Sequence, residues 1–122
     1  MPVLRTIVGI VDDDPGMRTA IRSVLSAFGY TTYAYDSAEA FLKVAATSNA
    51  DCLVVDIQLG DISGVELVRQ LQETGFTFPI IFVTALDDEA IRSQATQLGC
   101  VAYLHKPVSA DRLIEAIVKA TD

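Results

Sequence analysis

The sequence predicts an α/β domain, an open and mainly parallel sheet of five strands with helices on both faces. Short apolar runs rich in β-branched residues recur with helical patterns between them, which is the mark of consecutive strand-helix units. Several runs are apolar without alternation, as expected of parallel strands covered on both sides. Right-handed crossovers then place helices on both faces wherever the strand order reverses. A length of 122 residues suits one folding unit, so a single domain over residues 1–122 is expected.

The first run is Thr6–Val11. After it, Met17, Ala20, Ile21, Val24, Leu25 and Phe28 fall at i, i+3, i+4, i+7, i+8 and i+11, one continuous helix face that Gly29 ends. Asp14 before Pro15 reads as an N-cap followed by proline at the first helical position. A weaker run, Thr31–Tyr35, leads to a helix capped by Asp36 or Ser37 and carrying Ala38, Phe41, Leu42 and Ala45 on one side. The third run, Cys52–Val55, precedes a helix with Gly64, Leu67, Val68 and Leu71 inward, opened by a capping box of Ser63 and Glu66. The fourth, Pro79–Val83, precedes a helix from about Asp87 to Leu98 that Asp87 or Asp88 caps and Gly99 ends. The fifth, Val101–Leu104, precedes a helix from about Ala110 with Leu113, Ile114, Ile117 and Val118. No repeat beyond this alternation, no low-complexity tract and no linker interrupts it.

Sixteen acidic against nine basic residues give a formal charge of −7, and 51% of residues are apolar. The apolar share excludes a disordered acidic tail. The negative balance argues against this chain gripping nucleic acid or an anionic membrane by itself, because both need a basic face. Cys52 and Cys100 are too few for a disulfide framework or a clustered metal site and read as apolar fillers in a reducing compartment. The apolar run Ile7–Val11 ends in three aspartates, which fits neither a secretory segment nor a membrane span. A cytoplasmic location is the resulting expectation.

In such a sheet, ligands sit outside the carboxyl ends of the strands. There the first strand delivers Asp12, Asp13 and Asp14, the second Asp36, and the third Asp56. The fourth delivers Thr84, then Asp87, Asp88 and Glu89, and the fifth His105 and Lys106. Helix caps account for Asp14, for Asp36 or Ser37, and for Asp87 or Asp88, and Asp61 reads as a solvated loop residue. No cap explains Asp12, Asp13 or Asp56. Carboxylates gathered on adjacent strand ends repel one another unless a cation neutralises them. A hard divalent ion such as Mg²⁺ suits oxygen ligands, waters and a phosphate, and a solvated acidic loop is the alternative. Lys106 and Thr84 add a fixed positive charge and a hydroxyl, which suits a transferred phosphoryl group. His105, a lone imidazole, reads as a strand-edge residue.

Asp12-Asp13, Asp56, Thr84-Ala85 and Lys106-Pro107, each at the end of its own strand, resemble the receiver domain of two-component response regulators, and the likeness runs over essentially the whole chain. It implies a flavodoxin-like (βα)5 three-layer sandwich with strand order 2-1-3-4-5. It implies Asp56 as phosphoacceptor, taking a phosphoryl group from a sensor histidine kinase or a small phosphodonor. Asp13 and Asp56 would bind Mg²⁺ directly with the backbone carbonyl of Gln58, and Asp12 would act through a water. Lys106 would pair with the phosphoryl oxygens, Thr84 would donate its hydroxyl to one of them, and Pro107 would follow a cis bond. Thr84 would couple to Tyr103 on the fifth strand, which turns inward and reshapes the face of helix 4, strand 5 and helix 5. The alternative for Tyr103 is a half-exposed strand residue with no switching role.

Leu59 and Gly60 stand where the family usually has Met-Pro, and glycine in place of proline predicts a looser loop. Gln58 and Leu86 occupy the positions that tune phosphoryl lifetime in the family. The segments Asp36–Leu42 and Ser63–Leu67 look like receivers joined to LuxR-type helix-turn-helix domains, which implies transcriptional control by a domain other than this one. The face of helix 4, strand 5 and helix 5 is expected to form a homodimer or dock an output domain. The only chemistry expected of the chain is its own aspartyl phosphorylation and dephosphorylation. A small Mg²⁺-dependent phosphohydrolase with an aspartate nucleophile is the main alternative, although Gln58 stands where such enzymes need a second acid. A flavodoxin-like binding module would want a glycine- and hydroxyl-rich phosphate cradle instead of the acidic Asp12–Gly16 loop. A pseudo-receiver working only through protein contacts would not need the intact site residues.

Overall fold

The computed structural model describes residues 5–122; residues 1–4 of the expected domain lie outside the described residues. Five strands, β1 (Ile7–Val11), β2 (Thr31–Tyr35), β3 (Cys52–Asp56), β4 (Ile80–Thr84) and β5 (Ala102–His105), form one parallel sheet in the order β2-β1-β3-β4-β5. Five helices connect and complete them: α1 (Pro15–Ala27), α2 (Ala38–Leu42), α3 (Gly64–Glu73), α4 (Glu89–Gln97) and α5 (Ala110–Thr121). The expected strand order and layering are both present.

Alternation along the strands splits the core in two. Val8, Ile10, Cys52, Val54, Ile81 and Val83 face α1 and α5, where Ile21, Leu25, Leu113 and Ile117 meet them. Val11, Leu53, Val55, Ile80 and Phe82 face the other way, onto Phe41 of α2, onto Val65, Leu67, Val68 and Leu71 of α3, and onto Ala95 of α4. Phe41 is edge-on to both Tyr35 and Phe78, with ring centroids 5.1 and 5.5 Å away. Every residue of the central strands β3 and β4 is buried, which explains why neither alternates in sequence.

The helix starts match the caps read from sequence. Asp14 accepts from the backbone N–H groups of Gly16 and Met17, with Pro15 at the first helical position. Ser37, not Asp36, caps α2, and Asp88, not Asp87, caps α4. The capping box of α3 is only half made. Ser63 Oγ accepts from the Glu66 N–H at 3.1 Å, but the Glu66 carboxylate turns to Arg69 and Gln70.

The second helix departs from expectation. It stops at Leu42, and Ala45 sits in a separate 3₁₀ turn (Ala45–Thr47) after Val44 leaves helical geometry at φ −116°, ψ 2°. The apolar stripe survives this break because Ala45 still reaches the core. Phe28 and Val118, the last members of their stripes, are exposed. Phe28 is the C-cap of α1, where the turn into Gly29 (φ +89°) ends the helical spacing that would aim it inward. Cys52 is buried and Cys100 partly so, both unbonded, and burial pushes the Cys52 thiol up to about 12. Among the described residues no helix is long and apolar enough to cross a membrane.

Candidate functional site

The carboxyl edge of β1, β3, β4 and β5 gathers the acids, the threonine and the lysine. Asp56 is the last residue of β3, paired with Val83 in the register of β4, and Thr84 follows one step on. The Lys106 N–H donates to the Thr84 carbonyl at 2.7 Å, continuing the β4–β5 ladder past the last paired residues. Lys106 is therefore delivered by sheet hydrogen bonding, and the Lys106–Pro107 bond is cis.

One ligand oxygen from each of Asp12, Asp13 and Asp56 lies within 4.8 Å of the others. Asp12 and Asp56 are only 2% and 5% exposed, so both carboxylates are taken from water. Lys106 Nζ lies between them, 3.3 Å from Asp12 Oδ2 and 3.2 Å from Asp56 Oδ2. Burial and then the neighbouring Asp12 charge raise the Asp56 carboxyl above its ordinary range, against the lowering pull of the Gln58 N–H and of Lys106. Burial alone would lower Lys106, but Asp56 and Asp12 outweigh it and hold the ammonium above its usual value. A buried pair of acids with one lysine still carries excess negative charge, and exposed Asp13 adds to it. Hard oxygen donors at this spacing fit a divalent ion such as Mg²⁺.

Two site acids also shape their own loops, a duty that helix-cap reasoning from sequence passed over. Asp12 Oδ1 accepts the Asp14 N–H at 2.9 Å, and Asp56 Oδ1 accepts the Gln58 N–H at 3.1 Å. Each turns the chain out of its strand and leaves the other oxygen toward Lys106. Thr84, fully buried, accepts the Leu86 N–H at 2.9 Å, which leaves its hydroxyl proton free to be donated. Gln58 and His105 are exposed, and Leu86 is half-buried.

Gly64 was legible as a helix residue, but its reason lies in the tertiary structure. A Cβ there would overlap the backbone carbonyl oxygen of Asp56, so only glycine lets α3 start against the end of β3. The expectation of a looser loop at Gly60 also changes. Gly60 adopts φ +88°, which proline cannot, while Ile57 and Leu59 before it are buried in the core. Those side chains anchor the start of the loop, and its glycine makes a turn that proline could not.

Tyr103 of β5 stands opposite Phe82, its residue half-buried but its hydroxyl fully buried and without a hydrogen-bond partner among the described residues. The Arg92 guanidinium sits 5.6 Å above its ring centroid. The hydroxyl is thus already enclosed in this structure. Sequence reasoning also missed Arg18, whose guanidinium Nη1 donates to the Asp12 carbonyl at 2.8 Å. Its position four residues after the cap Asp14, on the helix turn beside the strand end, was the available signal.

A doubly wound domain with a buried acid pair, a bridging lysine and a threonine on neighbouring strand ends is built in a way that suits phosphoryl chemistry. The chain belongs to the response regulator receiver domain family, whose family model matches residues 8–118. It is 35% identical over 115 residues to the transcriptional regulatory protein FixJ of Rhizobium meliloti, covering 94% of this chain and 56% of that protein. It is 31% identical over 112 residues to the response regulator protein TodT of Pseudomonas putida, covering 92% of this chain and 49% of that protein. The crystal structure of FixJ-N superposes with a TM-score of 0.90 at 34% identity, covering 98% of this chain and 95% of that one. The chain spans about half the length of the curated relatives it matches. It is a receiver domain of two-component signalling, not a classical enzyme, and the phosphohydrolase alternative is not favoured.

Proposed function

We propose that Asp56 accepts a phosphoryl group from a phosphohistidine of a sensor histidine kinase. An Asp56 carboxylate oxygen attacks phosphorus, the P–N bond breaks with its electrons leaving on the imidazole, and an acyl phosphate forms on Asp56. The observation that supports this reading best is the Lys106 ammonium held at 3.2 Å from Asp56 and 3.3 Å from Asp12. Lys106 is in place to meet the phosphoryl oxygens, and the free hydroxyl proton of Thr84 is available to another. Asp13 and Asp56 would hold Mg²⁺ with the Gln58 carbonyl, and Asp12 would act through a water. Bound Mg²⁺ would supply charge neutralisation for the approaching phosphoryl oxygens.

The switch runs through Thr84 and Tyr103 to the face formed by α4, β5 and α5. Moving a two-state equilibrium nearly completely requires a preference of about 5.5 kcal/mol for the active state. That face serves a homodimer or an output domain, and the domain works in the cytoplasm with residues 1–122 as one receiver unit. The resemblance to regulators about twice as long supports a transcriptional output outside this chain, and the likeness of Asp36–Leu42 and Ser63–Leu67 to receivers of that kind favours a LuxR helix-turn-helix type. The acidic charge of −7 leaves DNA contact to such a domain.

Incubation with acetyl phosphate and Mg²⁺, read by intact mass, tests this. The expected result is one added phosphoryl group, labile to base, that is lost in Asp56→Asn and in the presence of chelator. An unchanged parent mass, where a control receiver is modified, overturns the reading.

A further inference from the structure

Arg18 sits in α1, its backbone N–H donating to the carbonyl of the cap residue Asp14 at 3.0 Å. Its side chain reaches back across the helix start, so that Nη1 donates to the Asp12 carbonyl at 2.8 Å. Asp12 lies just beyond β1, whose last ladder residue is Val11. Each part of Asp12 is tied down: its N–H to the Tyr35 carbonyl, Oδ1 to the Asp14 N–H, Oδ2 to Lys106, and its carbonyl to Arg18.

Asp13 is the opposite case. It is exposed, and among the described residues its carboxylate accepts no hydrogen bond, although it completes the acid trio. With no bond on its carboxylate, the backbone that carries it is the part of Asp13 the surrounding structure holds. The Asp12 carbonyl and the Asp13 N–H belong to one planar peptide unit, so a bond that fixes the carbonyl fixes the path into the Asp13 Cα. We propose that Arg18 is a positioning residue for the cation site: by holding the Asp12–Asp13 peptide plane it aims the Asp13 carboxylate at the pocket shared with Asp12 and Asp56. A guanidinium suits this task because it stays charged and offers a planar set of donors at fixed angles.

The sign of the effect separates positioning from simple charge. Arg18 is a cation beside an acid cluster, so removing it should tighten Mg²⁺ binding if only Coulomb forces acted. Positioning demands the reverse. The inference rests on the metal reading above.

The test is calorimetric titration of the full, unphosphorylated chain with Mg²⁺, at a temperature where thermal melts show every variant folded. Arg18→Ala is expected to weaken binding by about 10–100-fold, the usual cost of losing a group that orients metal ligands. Arg18→Lys should recover part of that loss, and Arg22→Ala, one turn along the same helix, should leave affinity unchanged. With acetyl phosphate, the half-saturating Mg²⁺ concentration of Arg18→Ala should rise while the rate at saturating Mg²⁺ is retained. Unchanged or tighter Mg²⁺ binding in Arg18→Ala overturns the proposal, as does an equal loss in Arg22→Ala. No Mg²⁺ binding by the parent chain would instead remove the metal reading itself.

Discussion

Helices α3 and α4 cover the same face of the sheet and are ten and nine residues long, yet they hold to it very differently. α3 buries Gly64, Val65, Leu67, Val68 and Leu71, whereas α4 buries only Ala95. The strands beside them differ in the same way. β3 is buried throughout, while β5 is half-buried along its length and exposed at His105. The acid proposed to take the phosphoryl group therefore sits at the end of a fully buried strand, with α3 started directly against its carbonyl. Tyr103 and Arg92 sit where little apolar area resists movement. Elements with few buried contacts open and repack at low free-energy cost, which suits a readout surface. The acid pair thus lies on the tightly packed side of the sheet and Tyr103 on the loosely packed side, with Lys106 at the end of β5 linking the two.

The largest effect expected from this contrast is in stability. Leu67→Ala should cost about 2–5 kcal/mol in urea denaturation, the range for a fully buried leucine. Ile91→Ala, on the half-buried side of α4, should cost well under half as much. Equal losses would break the comparison.

Gly64→Ala is expected next. The added Cβ must push α3 off the Asp56 carbonyl, which should cost about 1–3 kcal/mol and slow phosphorylation of Asp56 by acetyl phosphate. Parent-like melting and rate together would show that the close approach is not needed.

The smallest effect is expected at Tyr103. Its hydroxyl is buried without a partner, so Tyr103→Phe should raise stability by about 1 kcal/mol, against the usual destabilising direction of core changes. A loss in the same denaturation assay would mean that the hydroxyl is satisfied and that this side is more tightly built than α4 suggests.

Much of the fold was legible. The strand positions, the caps at Asp14 and Ser63 and the turn at Gly29 follow from local chemistry, and the structure keeps them with end shifts of about one residue. The break in α2 was not, because Ala45 reaches the core from a 3₁₀ turn with the same apolar spacing that a longer helix would show. Phe28 and Val118 were assigned inward by period alone, yet the helix end leaves Phe28 in solvent and the inward face of α5, made of Leu113, Ala116, Ile117 and Ala120, leaves Val118 just outside it. Of the site, Asp12, Asp13, Asp56, Thr84 and Lys106 could be placed because strand ends converge by topology. The Gly64 contact could not, and Arg18 was signalled only by its place one turn after the cap Asp14, since each acts on a backbone carbonyl, a group that every residue carries.

What the sequence by itself determined is the list of elements and the identity of the groups at the sheet edge, because apolar period, caps and turns are properties of neighbouring residues. Tertiary structure alone decided that Lys106 bridges Asp12 and Asp56, that Arg18 holds the Asp12 carbonyl, and that the Tyr103 hydroxyl is enclosed without a partner. Those facts depend on distances between groups up to 94 positions apart in the chain. Only the register of the strands and the packing of helices upon them set such distances.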